Sequence, residues 1–294
     1  MITTEFKQQV REAILQNREN YSLSDAKYAK SLGIGSAVYS RIKSGEIVKV
    51  LSDSKWIEIG RTLNVSINKV EWNIARTAVY DEIETNINFC QTYKKAVIVV
   101  DDCGIGKTFC TRHIIRGLKN AYYVDCSQAK TKSQFIRYLA RTLGIDSTGK
   151  LFDIKENIKY YINLMEDTFI ALDDAGYLET NVLVEIIEIW NGTEGRCGWM
   201  MIGDDSLENK VNRGLKSKKV GYKALFSRFS DEFIHFVPVA LAEKKEFYKQ
   251  LIGDVANVNM EDKSKINKLI KLCFSKEKTL RHLSTLIQLG KAND

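Results

Sequence analysis

The stretch Lys95-Ala96-Val97-Ile98-Val99-Val100-Asp101-Asp102-Cys103-Gly104-Ile105-Gly106-Lys107-Thr108 decides how this chain is read. A short β-branched run drops into a loop ending Gly-Ile-Gly-Lys-Thr, and a helix-like segment from Phe109 to Leu118 follows. Strand, glycine loop and helix in that order make a phosphate-binding P-loop. The strand aims the loop, glycine lets backbone N–H groups approach the phosphates, and the helix N-terminus adds partial positive charge. Cys103, Gly104, Ile105, Gly106, Lys107, Thr108 and Phe109 then hold ATP, with Lys107 at the β/γ oxygens and the Thr108 hydroxyl on Mg²⁺. The motif G-x-x-x-x-G-K-[ST] opens on glycine where this chain has Asp101. A carboxylate beside triphosphate is unfavourable, and aspartate enters φ > 0 less readily than glycine, so a slightly degenerate site is expected. The bland alternative is a chance Gly-Lys-Thr in a surface turn.

At 294 residues, with 44% hydrophobic and 28% charged residues, the chain has room for two or three small domains with real cores. No apolar run approaches the ~20 residues of a membrane span, and the N-terminus lacks the apolar region of a signal peptide. Six cysteines (Cys90, Cys103, Cys110, Cys126, Cys197, Cys273) lack C-x-x-C spacing and accompany only three histidines. That pattern suggests no metal site built from cysteine and histidine, and it fits a reducing cytoplasm. The net charge of +7 is unevenly spread, which hints at a nucleic-acid partner.

Residues 1–70 read as short helices. Ser24 to Leu32 is a capped amphipathic helix, Gly33-Ile34-Gly35 a turn, and Ser36 to Lys43 a second helix stopped by Ser44-Gly45. A third covers Asp53 to Leu63, with Trp56, Ile57, Ile59 and Leu63 as its apolar stripe. Two helices across a tight glycine turn are the helix-turn-helix pattern, here similar in spacing to phage-repressor-type domains. The second helix would offer Ser36, Ala37, Tyr39, Ser40, Arg41 and Lys43 to DNA. A helical protein-docking domain is the alternative. From 71 to 238 strand candidates (96–100, 121–125, 169–172, 199–202, 233–237) alternate with helical runs at 132–143, 154–165 and 181–190. That alternation predicts an α/β fold with a parallel sheet covered on both faces. Residues 239–294 read as helices rich in lysine.

Thr168-Phe169-Ile170-Ala171-Leu172-Asp173-Asp174-Ala175 is a buried strand ending in two carboxylates, where ligands bind in such sheets. Asp173 would organise Mg²⁺ through water. Asp174 stands where related P-loop ATPases carry the glutamate that polarises the attacking water. Its arm is one methylene shorter, which predicts slow hydrolysis that Asp174→Glu would raise. Paired acids after a strand also serve simply as a helix N-cap.

Three further elements carry a resemblance. Gly198 to Leu207 resembles the sensor 1 strand of AAA+ ATPases, with Asp204 at its polar position. Leu225-Phe226-Ser227-Arg228-Phe229 resembles their arginine-finger element, and Thr279 to Ile287, with Arg281, their sensor 2 helix. In this order the motifs span the last two-thirds of the chain, which is identified as a member of the AAA+ ATPases. The resemblance implies a P-loop NTPase sheet, a small helical lid at 239–294, and Arg228 acting in trans within an oligomer. Together with the helix-turn-helix, the chain resembles the transposition target-selection ATPases typified by phage Mu B, with TnsC and IstB as more distant cousins. That resemblance implies a helical filament or ring on double-stranded DNA, which delivers the DNA to a transposase.

Asn209 to Lys223 carries six basic residues (Lys210, Arg213, Lys216, Lys218, Lys219, Lys223) and no acid. It reads as a basic loop tracking a phosphate backbone, or else as a solvated flexible loop. Two other readings stay open. One is a helicase loader; the other is a sequence-specific regulator acting through Tyr39, Arg41 and Lys43.

Overall fold

Serine and threonine stand where the first helices must begin. The computed structural model describes residues 2–21, 23–63, 65, 72–274 and 279–293, and opens with α1 (Thr4–Glu19), α2 (Asp25–Ser31), α3 (Ser36–Lys43) and α4 (Asp53–Thr62). The side chains of Thr3, Ser24 and Ser52 accept from the backbone N–H groups of Phe6, Lys27 and Lys55, satisfying donors a helix start leaves unpaired. Val10, Ile14, Tyr28, Tyr39, Ile42 and Trp56 meet in one core beneath these helices. The sequence does not single out α1, which supplies Val10 and Ile14. Ile57, expected in the buried stripe of α4, is 50% exposed. Gly60 packs there instead, against Phe6 and Val10. The expected boundary at residue 70 lies outside the described residues.

Next come α5 (Ala78–Tyr93), β1 (Ala96–Val100), α6 (Lys107–Arg116), β2 (Ala121–Asp125), α7 (Lys132–Thr142) and α8 (Leu151–Leu164). They are followed by β3 (Thr168–Asp173), α9 (Thr180–Gly192), β4 (Cys197–Gly203), α10 (Asp205–Lys216), α11 (Tyr222–Arg228) and β5 (Phe233–Ile234). The strands pair in the order β2-β3-β4-β1-β5, and every pair is parallel. Alternation along each strand feeds two cores. Ala96, Ile98 and Val100 join Trp199 and Met201 on one face, while Val97 and Val99 join Met200 and Ile202 on the other. The chain closes with α12 (Leu241–Asn259), α13 (Ile266–Phe274) and α14 (Leu280–Asn293), which share a core of Ile252, Val255, Ala256, Cys273, Leu283 and Ile287. Among the described residues no helix is long and apolar enough to cross a membrane.

Two features set the site. Parallel strands bring all their carboxyl ends to one edge, so Asp101, Asp125, Asp173 and Asp204 gather there. The strand order also places β4, and hence Asp204, between the P-loop strand and the β3 acids. At the opposite edge Asn20 Nδ2 donates to Arg116 O and Tyr21 Oη to Gly144 O. Arg116 ends the ten-residue α6, which starts at the P-loop, so the N-terminal helices attach about 15 Å away along that axis.

The fifth strand is shorter than expected. It pairs only at Phe233 and Ile234, because the N–H groups of Phe236 and Val237 both donate to Asp101 Oδ2, at 2.5 and 2.9 Å.

Candidate functional site

The loop after β1 turns at Gly104 (φ +78) and Gly106 (φ +104), left-handed positions that favour glycine, and Lys107 opens α6 directly behind them. The 8%-exposed Lys107 donates from Nζ to Asp101 O (2.7 Å) and Asp102 O (2.8 Å). Burial pushes this ammonium below its usual pKa, against the pull of Asp101, Cys103, Asp173 and Asp204.

Asp101 is not the intruder that the motif comparison implies. Its φ is not positive, and its buried carboxylate is taken up by backbone N–H groups. Oδ1 accepts from Asp102 N and Oδ2 from Phe236 N and Val237 N. Asp102 Oδ2 accepts from Tyr248 Oη (2.6 Å) and Lys244 Nζ (2.7 Å), so the next acid ties the loop to α12. Burial acts to raise the Asp102 pKa, but Lys244 and Tyr248 outweigh it and hold the carboxyl below its usual value. From the other side Leu280 N donates to Gly104 O, and Thr279 abuts Gly104.

These elements enclose a cavity of about 640 Å³, within the range of small-molecule sites. Cys103, Gly104, Ile105, Gly106, Lys107, Thr108 and Phe109 line it, as do Asp173, Asp174, Asp204 and Arg281. Distant sequence segments thus converge, including the first turn of α14. Sequence reasoning missed Arg112, Trp72, Thr77 and Val255, which also line it. Arg112 follows Thr108 by four residues, about one helical turn, a spacing that could have flagged it. Trp72 belongs to a segment joined to α12 by Asn73 N to Asn259 Oδ1 and Asn259 Nδ2 to Asn73 O, which no motif signals.

The β3 acids are placed differently from the β1 acids. Asp173, 2% exposed, accepts from Tyr123 Oη at Oδ2 (2.6 Å) and from Asp174 N at Oδ1 (3.0 Å). Asp174 is exposed and sits at φ +54, which a short polar side chain tolerates better than glutamate, a reason for aspartate here. Burial raises its pKa, and the negative charges of Asp173, Asp125 and Asp204 add to the effect. Asp204 is the N-cap of α10: Oδ1 accepts from Ser206 N and Ser206 Oγ, while Oδ2 accepts from Cys103 Sγ at 3.3 Å. The Ser206 hydroxyl, more than burial, sets its pKa, which lies below the usual value.

Arg228 does not line the cavity. It donates from Nε to Asn191 Oδ1 and from Nη1 to Ala224 O, and stacks over the Trp190 ring at 5.2 Å.

The basic segment is mostly helix rather than loop, because Leu207, Val211 and Gly214 form a buried face along α10. Lys210 is drawn inward, donating from Nζ to Gly176 O and Leu178 O, and so leaves the DNA-facing set. Arg213, Lys216, Lys218, Lys219 and Lys223 remain exposed. Among the α3 residues expected to face DNA, Ser36, Arg41 and Lys43 are exposed, but Tyr39 is 2% exposed and packs on Tyr28. Its spacing from Ile42 puts both on the core face of the helix. Arg41 pairs with Glu46 (2.8 Å) and Lys43 with Asp25 (3.0 Å).

Residues 90–211 match the family described as AAA domain, a stretch that holds the P-loop, the β3 acids and β4. Arg228, Arg281, the N-terminal helices and residues 239–294 fall outside the matched stretch. The fold is similar to that of the Orc1 protein of Aeropyrum pernix, solved in complex with DNA. The TM-score is 0.55 at 14% identity, over 77% of this chain and 62% of that one. Looser similarities are to Cdc6p from Pyrobaculum aerophilum (TM-score 0.46, 16% identity, 66% and 52% covered) and to Brucella abortus NtrX in complex with ATP (0.43, 14%, 86% and 63%). This chain spans less than two-thirds of the length of each. Among curated proteins none matches it.

Proposed function

We propose that this chain is an ATP-dependent AAA+ ATPase that binds DNA with little sequence preference, oligomerises on it, and delivers that DNA to a transposase. The observation that carries the ATPase reading is the convergence of Lys107, Thr108, Asp173, Asp174 and Arg281 on one cavity. In this reading Lys107 leaves its two carbonyls for the β/γ oxygens, Asp174 orients the attacking water, and Asp204 stays a helix cap beside the γ-phosphate position. Among the described residues no group of three or more His, Cys, Asp or Glu side chains could hold a metal alone. That fits Mg²⁺, which commonly takes one or two protein oxygens and completes its shell with phosphates and water. Thr108 and Asp173 would be those donors, and bound Mg²⁺ would neutralise charge building on the phosphates.

Arg228 supports the oligomer. It sits outside its own chain's cavity, held by Asn191 and Trp190, and would complete the site of a neighbouring subunit. The divisions 1–70, 71–238 and 239–294 serve as helix-turn-helix, nucleotide-binding unit and helical lid in this reading. Arg213, Lys216, Lys218, Lys219 and Lys223 are the phosphate-tracking residues; none of them enters an ion pair among the described residues. The transposase rests on the sequence resemblance alone. A base-reading role for α3 is weakened by the burial of Tyr39 and the pairing of Arg41 and Lys43.

Binding to long random-sequence duplex with ATP, with ADP and without nucleotide, imaged for filaments, tests the reading. ATP-dependent coating is expected, with log K falling against log salt at a slope of about −3.6 if four phosphates are neutralised per subunit. Charge reversal at Lys216, Lys218 and Lys219 should flatten that slope. Nucleotide-independent binding at one operator would refute the proposal.

A further inference from the structure

We infer that Tyr123 is the positioning residue for the Asp173 carboxylate, setting its affinity for the divalent cation that accompanies ATP; the inference rests on the nucleotide-site reading above. On the β2–β3 ladder Tyr123 lies opposite Ala171, and Asp125 opposite Asp173. Tyr123 and Asp173 are therefore diagonal neighbours on adjacent strands, within reach of an aromatic side chain. The phenol spans that gap and donates to Asp173 Oδ2 at 2.6 Å, a length typical of a charge-assisted O–H···O⁻ bond. With Asp174 N on Oδ1, both carboxylate oxygens are held by uncharged donors, which fixes the plane of the group without cancelling its charge.

The ring is itself braced. The Arg112 guanidinium lies over it at 4.6 Å from the centroid and reaches Asp125 at 3.6 Å. Arg112 comes from α6, the helix that the P-loop opens, and lines the same cavity. The bracing therefore joins the two elements that carry Thr108 and Asp173. Tyr122, the adjacent residue on β2, points to the other face, where its hydroxyl meets that of Tyr161 at 2.8 Å. One strand thus carries a half-buried tyrosine hydroxyl on each face, of which only one touches the acid.

Partners that orient a ligating carboxylate are commonly worth 10–100-fold in metal affinity. The test is ATP binding by calorimetry to the full chain across a Mg²⁺ series, with Mn²⁺ affinity read in parallel by electron spin resonance. Tyr123→Phe should raise the cation concentration for half-maximal tight binding by about 10- to 100-fold. ATP binding in excess chelator should stay unchanged, and Tyr122→Phe should match the unsubstituted chain in both measurements. Wild-type cation dependence in Tyr123→Phe, or an equal shift in Tyr122→Phe, would overturn the inference while leaving the nucleotide reading intact. Absence of Mg²⁺-dependent ATP binding in the unsubstituted chain would overturn both.

Discussion

At the carboxyl edge of the sheet β1 ends in Asp101-Asp102 and β3 in Asp173-Asp174, the same side chains two strands (about 10 Å) apart. Asp101 spends its carboxylate on three backbone N–H groups, and Asp102 on Lys244 and Tyr248. Neither faces the P-loop cavity. Asp173 and Asp174 line it, and Asp174 is exposed there. The difference comes from the neighbours rather than the residues. β1 lies beside β5, whose early end leaves Phe236 and Val237 N–H groups for a side chain to satisfy. β3 lies between β2 and β4, whose own backbones complete its ladder, and its terminal acids open onto the cavity. An acid at a strand end becomes a fastening or a ligand according to what the adjacent strand leaves unpaired.

The most severe test of this contrast is Asp101→Gly, which makes the loop conform better to the P-loop motif. The repaired motif should nonetheless be the weaker protein. Orphaning three buried or half-buried N–H groups should cost about 3–5 kcal/mol by denaturant unfolding. A chain as stable as wild type would show that the Asp101 bonds matter little. Asp173→Asn should do the reverse. Hydrolysis of Mg²⁺–ATP should fall by about 10²–10³-fold, with the unfolding midpoint close to wild type. A large drop in that midpoint with hydrolysis intact would place Asp173 among the fastenings.

Asp174 sharpens the comparison further. Asp174→Asn should lower turnover by about 10²-fold while retaining ATP binding. Asp174→Glu should raise turnover, at about 1 kcal/mol of stability for the longer side chain at φ +54. A rate that stays level or falls in Asp174→Glu would count against Asp174 as the water-orienting group. The smallest effect belongs to Asp102→Asn. Lys244 and Asp102 are each about a third exposed or more, so about 1 kcal/mol or less is expected at neutral pH. Because the folded Asp102 pKa is depressed, its contribution is present above the unfolded carboxyl value, near 3.9, and disappears as pH falls through the folded value. Unfolding curves of the two proteins should therefore converge in acid. A gap that persists there would mean that the ionised carboxylate is not its source.

Much of this was legible in the sequence where local pattern decides structure. The β-branched run gave β1, a capped amphipathic run gave α2, the glycine turn marked the start of α3, and apolar spacing gave α4. The order of glycine loop and acid strands gave the cavity's main walls. Illegible were the partners brought together from far apart. Nothing near Asp101 announces that it accepts from residues 135 and 136 positions away, so β5 reads too long and Asp101 reads as a defect. Lys210 looks like its basic neighbours until the carbonyls of Gly176 and Leu178 arrive against it. Tyr39 was misread for a local reason. Its place on the second helix of the helix-turn-helix pattern suggests a DNA contact, whereas its spacing from Ile42 puts it on the buried face.

The central claim is that the β1 acids serve the fold and the β3 acids serve the nucleotide. Its most direct test is a calorimetric titration of ATP into Asp101→Gly with and without Mg²⁺, below that variant's unfolding midpoint. Mg²⁺-dependent ATP affinity close to wild type is expected. Affinity that collapses while the chain remains folded, or that rises markedly once the carboxylate is gone, would place Asp101 in the phosphate site and contradict it.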